Sequence, residues 1–528
     1  MEQTEVSIKF FCIGQKNVSR VLGDVPLTRC ICLTNAYLVG EIKSYGYSFS
    51  VSKMLMFFLI AALFVLLSGF AFKLPMSSIL IIFIFTELIM SAAFCNWHRI
   101  EYEQKRFSDC SKYIEKMLMY FKANNKILLS LEDTLKMFPD GDMHDVIERA
   151  IEYIKFADSE INIEKTALHL IEEQYESKRV RLLHSFLLSV EQDGGDCSLG
   201  VEILLNDRNT WTERTAIFQK EKAVIRRDIN IGFILSTLIC LLFVWMPELA
   251  NTSLLDVQSF PLVIGITTIY LLLIVIMYYK ADRSMCTNWL DDMESHTDEY
   301  WRKEYDSFIH FDMKRERNHS ILYFAIGMLC TIGIIVLQGG IHNFTGLLLP
   351  FATCLISIFL LFFYKLKYRS IYGILKKDIE KNYPGWIIHV ALLLQKENVQ
   401  QSLFQSYENA PGSIKPALQE MLKRLNVVPD DINAFNGFLH EFNIAELQET
   451  MDTLYGIVVG SGGDIQLELK NLLKRNAKMI DRAEEIKNND RKAYYSLYVS
   501  GTTLLSSFML IVYMGCMMLS FLSLNIGS

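Results

Sequence analysis

Basic side chains gather at two places in this 528-residue chain. Lys220, Lys222, Arg226 and Arg227 form one group, Lys487, Arg491 and Lys492 the other, and Arg214 and Arg482 stand shortly ahead of each. Such groups beside apolar runs anchor lipid headgroups and fix topology, and they can also face an acidic protein partner. Glu87, in "IFIFTELIM", is the one carboxylate near the middle of an apolar run. An ionisable group there is costly, so it is either functional or a protonated, hydrogen-bonded group facing another helix. A proton-coupled transporter would place several such groups at the midplane, and the corresponding fifth run has no acid. Cys30 and Cys32 form a lone C-x-C among eleven scattered cysteines, a weak metal signal that reads as ordinary reduced thiols. The ten histidines are dispersed, and His98, His169, His184, His389 and His440 read as helix or surface residues. No H-E-x-x-H, phosphate-cradling glycine loop or dinucleotide fingerprint occurs. The chain is therefore expected to have no catalytic, metal or cofactor-binding residues and to draw energy from a partner.

What must position these residues is largely apolar. Hydrophobic residues make up 51% of the chain and charged residues 21%, and the apolar ones are clumped. Runs at 54–72, 78–95, 229–246, 261–279, 321–337, 347–364 and 497–522 are each long enough to cross a bilayer as a helix, so seven spans are expected. Residues 1–50 carry lysines and arginines without a short apolar core and cleavage site, which makes the first span an uncleaved anchor. A net charge of −7 argues against a nucleic-acid partner. Loops 247–260 and 338–346 lack Lys and Arg, whereas the long loops and the connection between the fourth and fifth spans are rich in them. The positive-inside rule then puts the amino terminus and both long loops in the cytoplasm and the carboxyl terminus outside. Of the sequons at Asn17, Asn251, Asn318 and Asn343, only Asn251 and Asn343 fall outside on this topology.

The chain also repeats itself. "EQDGGDCSLGVEILL" at 191–205 returns as "VGSGGDIQLELKNLL" at 459–473, an offset of 268 between Asp196 and Asp464 that also pairs Arg214 with Arg482 and brings the third span onto the seventh. Upstream, "SLEDTLKMFP" from Ser130 and "SLFQSYENAP" from Ser402 match at an offset of 272. Each unit is two spans, a long loop and a third span, and the unmatched fourth span keeps both units in the same orientation. The loops show three- and four-residue apolar spacing throughout, so the fold class is all-α: a polytopic membrane protein with two cytoplasmic helical bundles from a parallel tandem repeat. The expected order is an amino-terminal segment 1–50, spans 51–96, a bundle 97–228, spans 229–279, a connector 280–320, spans 321–364, a second bundle 365–496 and a last span 497–522. In each corner triplet, Gly194, Gly195 and Asp196 or Gly462, Gly463 and Asp464, the glycines suit a helix stop at positive φ and the aspartate an N-cap.

Two spans, a helical bundle with an early Ser-Leu…Pro stretch and a late GGD…LL corner, then one more span, twice over from residue 54 onward, resemble the type II secretion F domain. That domain defines the membrane platform proteins of type IV pilus, type II secretion, Tad pilus and archaellum machines, and the length and extra spans look most like the archaeal members. The resemblance implies a non-enzymatic hub whose bundles dock on a hexameric secretion ATPase while its spans handle pilin-like filament subunits. It also makes a homodimer plausible, with membrane lipids as the remaining partner. On this reading Arg214 and Arg482, with neighbouring cations, meet the ATPase. Gly501, Thr502, Thr503, Ser506 and Ser507 on the last span either line the subunit path or pack neighbouring helices. A membrane scaffold or sensor without a filament, or a secondary transporter, are the alternatives.

Overall fold

A computed structural model of the chain describes residues 51–157, 162–194, 197–249, 261–290, 297–337, 344–460 and 465–526, and all regular structure among them is helical. Cys30, Cys32, Gly195, Asp196, Gly462, Gly463 and Asp464, with the sequons at Asn17, Asn251 and Asn343, lie outside the described residues. Five described helices are long and apolar enough to cross a membrane, or six if one bent pair counts as a single span.

Helices α1 (Val51–Ala71) and α2 (Met76–Asn124) form a hairpin. Its turn closes where Lys73 takes a left-handed φ of 52° and Leu74 N–H donates to the Gly69 carbonyl at 3.0 Å. Only glycine fits at 69, because a Cβ there would lie 2.7 Å from Ile79. The span and the first bundle helix, expected as separate elements, are one unbroken α2. At 1.5 Å per residue its 49 residues reach about 70 Å, well beyond a bilayer's apolar core.

Four shorter helices, α3 (Ile127–Leu135), α4 (Asp142–Phe156), α5 (Ile163–Tyr175) and α6 (Lys178–Asp193), fold against the second half of α2. With the first half of α7 (Ser198–Leu249) they close a core around Tyr113, Met117, Phe121, Ile147, Leu168 and Leu187. Helix α7 then continues into the predicted third span without interruption. Helix α8 (Pro261–Ser284) follows, and its apolar face packs on α2, α7 and the last helix.

The second unit runs through α9 (Asp298–Ile309), α10 (Met313–Leu337), α11 (Phe344–Leu361), α12 (Phe363–Leu393), α13 (Val399–Ser406), α14 (Lys415–Val427), α15 (Ile432–Asn436) and α16 (Ala445–Val459) to α17 (Ile465–Ile526), with a 3-10 turn at His440–Phe442. A second core gathers around Ile379, Tyr383, Ile387, Leu403, Leu418, Phe435, Phe442 and Leu454. The expected connector 280–320 is not a passive link. Trp289 and Leu290 join the first core, while α9 sets Trp301 into the second, flush against Gly412, where a Cβ would come within 2.6 Å of the indole.

Burial follows the repeat. Ser130, Leu131 and Thr134 are wholly buried, as are Ser402, Leu403 and Ser406 at the offset of 272. At 268, Val201, Leu204, Trp211 and Thr215 match buried Leu469, Leu472, Met479 and Ala483. Within the membrane-side halves of α7 and α17 the match slips to 266, pairing Ile229, Ser236 and Cys240 with Tyr495, Thr502 and Ser506. Gly194 stops α6 at φ +74°, as its position in the triplet predicts. The second copy stops α16 two residues earlier than expected, at Gly460 with φ +69°, because its N–H already reaches the carbonyls of Gly456 and Ile457.

Candidate functional site: a collar joining the two copies

The longest shared interface in the molecule is α7 against α17, one long helix from each copy. Several of the basic residues singled out in the sequence line it. Arg214 grips both carboxylate oxygens of Asp481, a bidentate pair that a lysine could not reproduce. Lys492 meets Glu221 at 3.4 Å, and Asn488 donates to the Arg214 carbonyl at 3.4 Å. Arg482, the repeat partner of Arg214, turns instead to Glu380 of its own copy at 3.1 Å. Lys220 and Arg227 remain exposed, Arg227 beside Asp228 at 3.4 Å.

Behind this rim lies a buried charge network. Arg179 on α6 meets Asp207 on α7 at 2.8 Å and Glu484 on α17 at 3.0 Å, all three side chains no more than 14% exposed. Lys487 reaches the same Glu484 at 3.3 Å, and the Arg179 guanidinium lies 4.8 Å over the Trp211 ring. Two cations against two carboxylates leave no net charge buried, the condition under which such a network is tolerable.

Trp289 plugs the collar where the bundles meet the spans. It packs against Phe218 and Phe107 with ring centroids 5.9 and 6.3 Å away, and Lys222 and Arg491 sit at 5.2 and 5.5 Å from its ring. The chain ahead of it is pinned to both copies. Lys222 donates to the Met285 carbonyl and to Thr287 Oγ1, Thr287 shares a 3.0 Å hydrogen bond with Tyr495 of α17, and Arg226 meets Asp282 at 3.0 Å. Burial in this wedge, with Arg491 and Arg226 close by, pulls the Lys222 ammonium down to about 8 against the opposing charges of Cys286 and Asp282.

Below the collar the spans are joined by hydroxyl contacts. Tyr270 of α8 meets Ser506 Oγ at 3.1 Å and Thr267 meets Tyr513 at 3.0 Å. Gly501, Thr502 and Ser506 thus pack neighbouring helices, while Thr503 and Ser507 face outward and bond carbonyls of their own helix. Glu87 is half-buried on α2 with no ion pair among the described residues. No three His, Cys, Asp or Glu side chains among them converge as a metal set.

Sequence reasoning missed a second polar cluster, inside the first core. His184, fully buried, meets the Tyr113 hydroxyl at 2.9 Å through Nε2 and Glu172 at 2.8 Å through Nδ1, and His169 flanks the same carboxylate at 3.4 Å. Burial pushes the His184 pKa down despite Glu172. Burial would raise the Glu172 carboxyl, but its two histidine partners outweigh that and hold it below the usual range. At the equivalent place the second copy keeps the tyrosine, Tyr383, beside Thr450 and has no titratable partner. Trp289 carried a signal that could have been read, since it and Trp301 are two indoles in a largely polar connector. The Arg179–Glu484 contact, 305 residues apart in the chain, carried none.

Comparison with known proteins returns no matching family model, curated protein or solved structure.

Proposed function

We propose that this protein is the membrane platform of a type IV pilus-like filament machine, an archaellum or archaeal pilus. It couples a cytoplasmic hexameric ATPase to the extraction and insertion of pilin-like subunits and performs no catalysis itself. The observation that carries this reading is mechanical. Each bundle shares unbroken helices with the spans, α2 and α7 in the first copy and α17 in the second, so a push on a bundle is delivered into the bilayer without a flexible joint. The collar ties the two copies together at the height where that motion enters the membrane. On this reading both bundles are cytoplasmic, the carboxyl terminus is outside and seven spans cross the bilayer.

Arg214, Lys222, Arg226, Lys487 and Lys492 are already paired inside the molecule, which supports a role in coupling the copies. The exposed Lys220 and Arg227 are the cations of this group best placed to meet the ATPase. Co-purification of the tagged chain from native membranes tests the reading. A hexameric secretion ATPase should elute with the full chain and be lost when either bundle is deleted. An ATPase that never accompanies the chain, with or without nucleotide, refutes it.

A further inference from the structure

The hairpin α10–α11 is built unlike its counterpart α1–α2. The α1–α2 pair continues into the bundle through one unbroken helix and packs on the other spans; Trp245 of α7 donates to the Ala71 carbonyl at 2.8 Å. The α11–α12 pair breaks at Phe362 with a bend of 52°. Among the described residues the hairpin α10–α11 packs mainly on itself, through contacts such as Thr331 with Thr353 at 3.1 Å, and most of the α10 apolar stretch is exposed. Among the described residues, few contacts hold this hairpin against the other helices.

Its foot is strongly basic. Residues 312–319 and 364–369, the first turns of α10 and α12, bring Lys314, Arg315, Arg317, Lys365, Lys367 and Arg369 together, all exposed, against Asp312 and Glu316. Lys367 pins the two helices through Glu316 at 2.7 Å, and Asp312 is occupied in accepting from the backbone N–H groups of Lys314 and Arg315 at 2.9 and 3.3 Å. Five cations are left without a carboxylate among the described residues. The repeat-equivalent stretch 94–99 of α2, "FCNWHR", has one cation, Arg99. The charge is thus a property of the loose hairpin and not of the fold in general.

We propose that this foot is a binding site for the phosphate-bearing headgroups of anionic phospholipids, which hold the α10–α11 hairpin where protein contacts do not. Several exposed lysines and arginines at one end of the hairpin, immediately beside an apolar span, match charged headgroups whose acyl chains occupy the same bilayer. Attraction of this kind is additive over the cations and screened by salt.

The full chain is reconstituted in nanodiscs of equal parts phosphatidylglycerol and phosphatidylcholine, extracted gently, and its retained lipid is counted by native mass spectrometry. Phosphatidylglycerol should be retained at least about tenfold over phosphatidylcholine, and K314Q/R315Q/R317Q/K365Q/R369Q should abolish the preference. Glutamine at the exposed bundle cations Lys122, Lys165, Arg181, Lys423 and Lys470 should leave it intact. Far-ultraviolet circular dichroism of both variants checks folding, and single replacements, Arg315→Gln and Arg369→Gln, stand in if the combined variant misfolds. Equal loss in foot and control variants overturns the proposal, as does an undiminished preference in the foot variants. Displacement by millimolar inorganic phosphate or by an acidic peptide alone also overturns it, since the site would then read soluble anions and not lipid.

Discussion

At the scale of single residues, the protein places charge and aromatic groups where their loss has calculable effects. His184 is buried with both ring nitrogens engaged, and its pKa lies below the ordinary 6.5. The unfolded chain therefore binds more protons than the folded one just below that value, and stability is lost as pH falls through it. A thermal melt should fall between about pH 7 and pH 5, and His184→Gln, which can donate to Glu172 and accept from Tyr113 without charging, should flatten that slope. An unchanged slope in the variant would assign the acid sensitivity elsewhere. Trp289→Ala empties the centre of the collar, a loss of about 3–5 kcal/mol for a buried indole, whereas Trp289→Phe should recover more than half of it by keeping a ring against Phe218. Denaturant titration followed at the bundle core reads both.

At the scale of elements, the central device is a helix that starts in a bundle and runs on into an apolar half. Its apolar half was plain from hydropathy, and so was the duplication, because the GGD corners and the Ser-Leu stretches survive as recognisable strings. The fusion was not legible. The charged stretch "QKEKAVIRRDIN" before the third span looks like a boundary, yet its Lys, Glu, Ala and Arg are good helix formers and simply continue α7. The collar was equally hidden, since local periodicity carries no information on which distant face a paired residue meets. It was the pairing, and not the residue types, that separated Arg214 on Asp481 from Arg482 on Glu380. Continuity makes a sharp prediction. One alanine inserted after Arg227 turns the membrane half of α7 by about 100° relative to its bundle half. Cys240, whose thiol lies 3.9 Å from the Ser506 carbonyl, then leaves the α17 face, while the core around Met117 and Leu168 is untouched. Hydrogen exchange in the bundle should be unchanged; on the proposed platform role filament assembly should be lost, and a four-residue insertion, close to a full turn, should restore part of it. Full assembly with the single insertion would mean that the helix does not act as a rigid rod.

At the scale of the whole molecule, the two copies face each other through α7 and α17, and six contacts of the collar cross between them: Arg214–Asp481, Lys492–Glu221, Asn488 to the Arg214 carbonyl, Arg179–Glu484, Thr287–Tyr495 and Arg491 over Trp289. If that interface holds the molecule together, the covalent link between the copies is dispensable. Chains 1–290 and 291–528, expressed together, should assemble and co-purify in detergent, because each fragment keeps most of its own core, the second lending Ile388, Ile480 and Tyr495 to the first, and the break falls between Leu290 and α9. The attraction should reside in the buried network more than in the rim. Removing Arg179 takes its partner from Asp207 and leaves Glu484 to Lys487, with both carboxylates at most 9% exposed, which costs about 3–5 kcal/mol and should separate the fragments. Arg214→Ala breaks a half-exposed pair worth about 1 kcal/mol and should weaken recovery only a few-fold. Lys396 on the second copy also reaches Ser189 Oγ on the first, at 2.8 Å and far from the membrane, so its loss alone should not part the fragments. Fragments that purify apart even with every residue intact would show that the copies are held by their connector, and the transmission of motion from one bundle to the other's spans would need a different route.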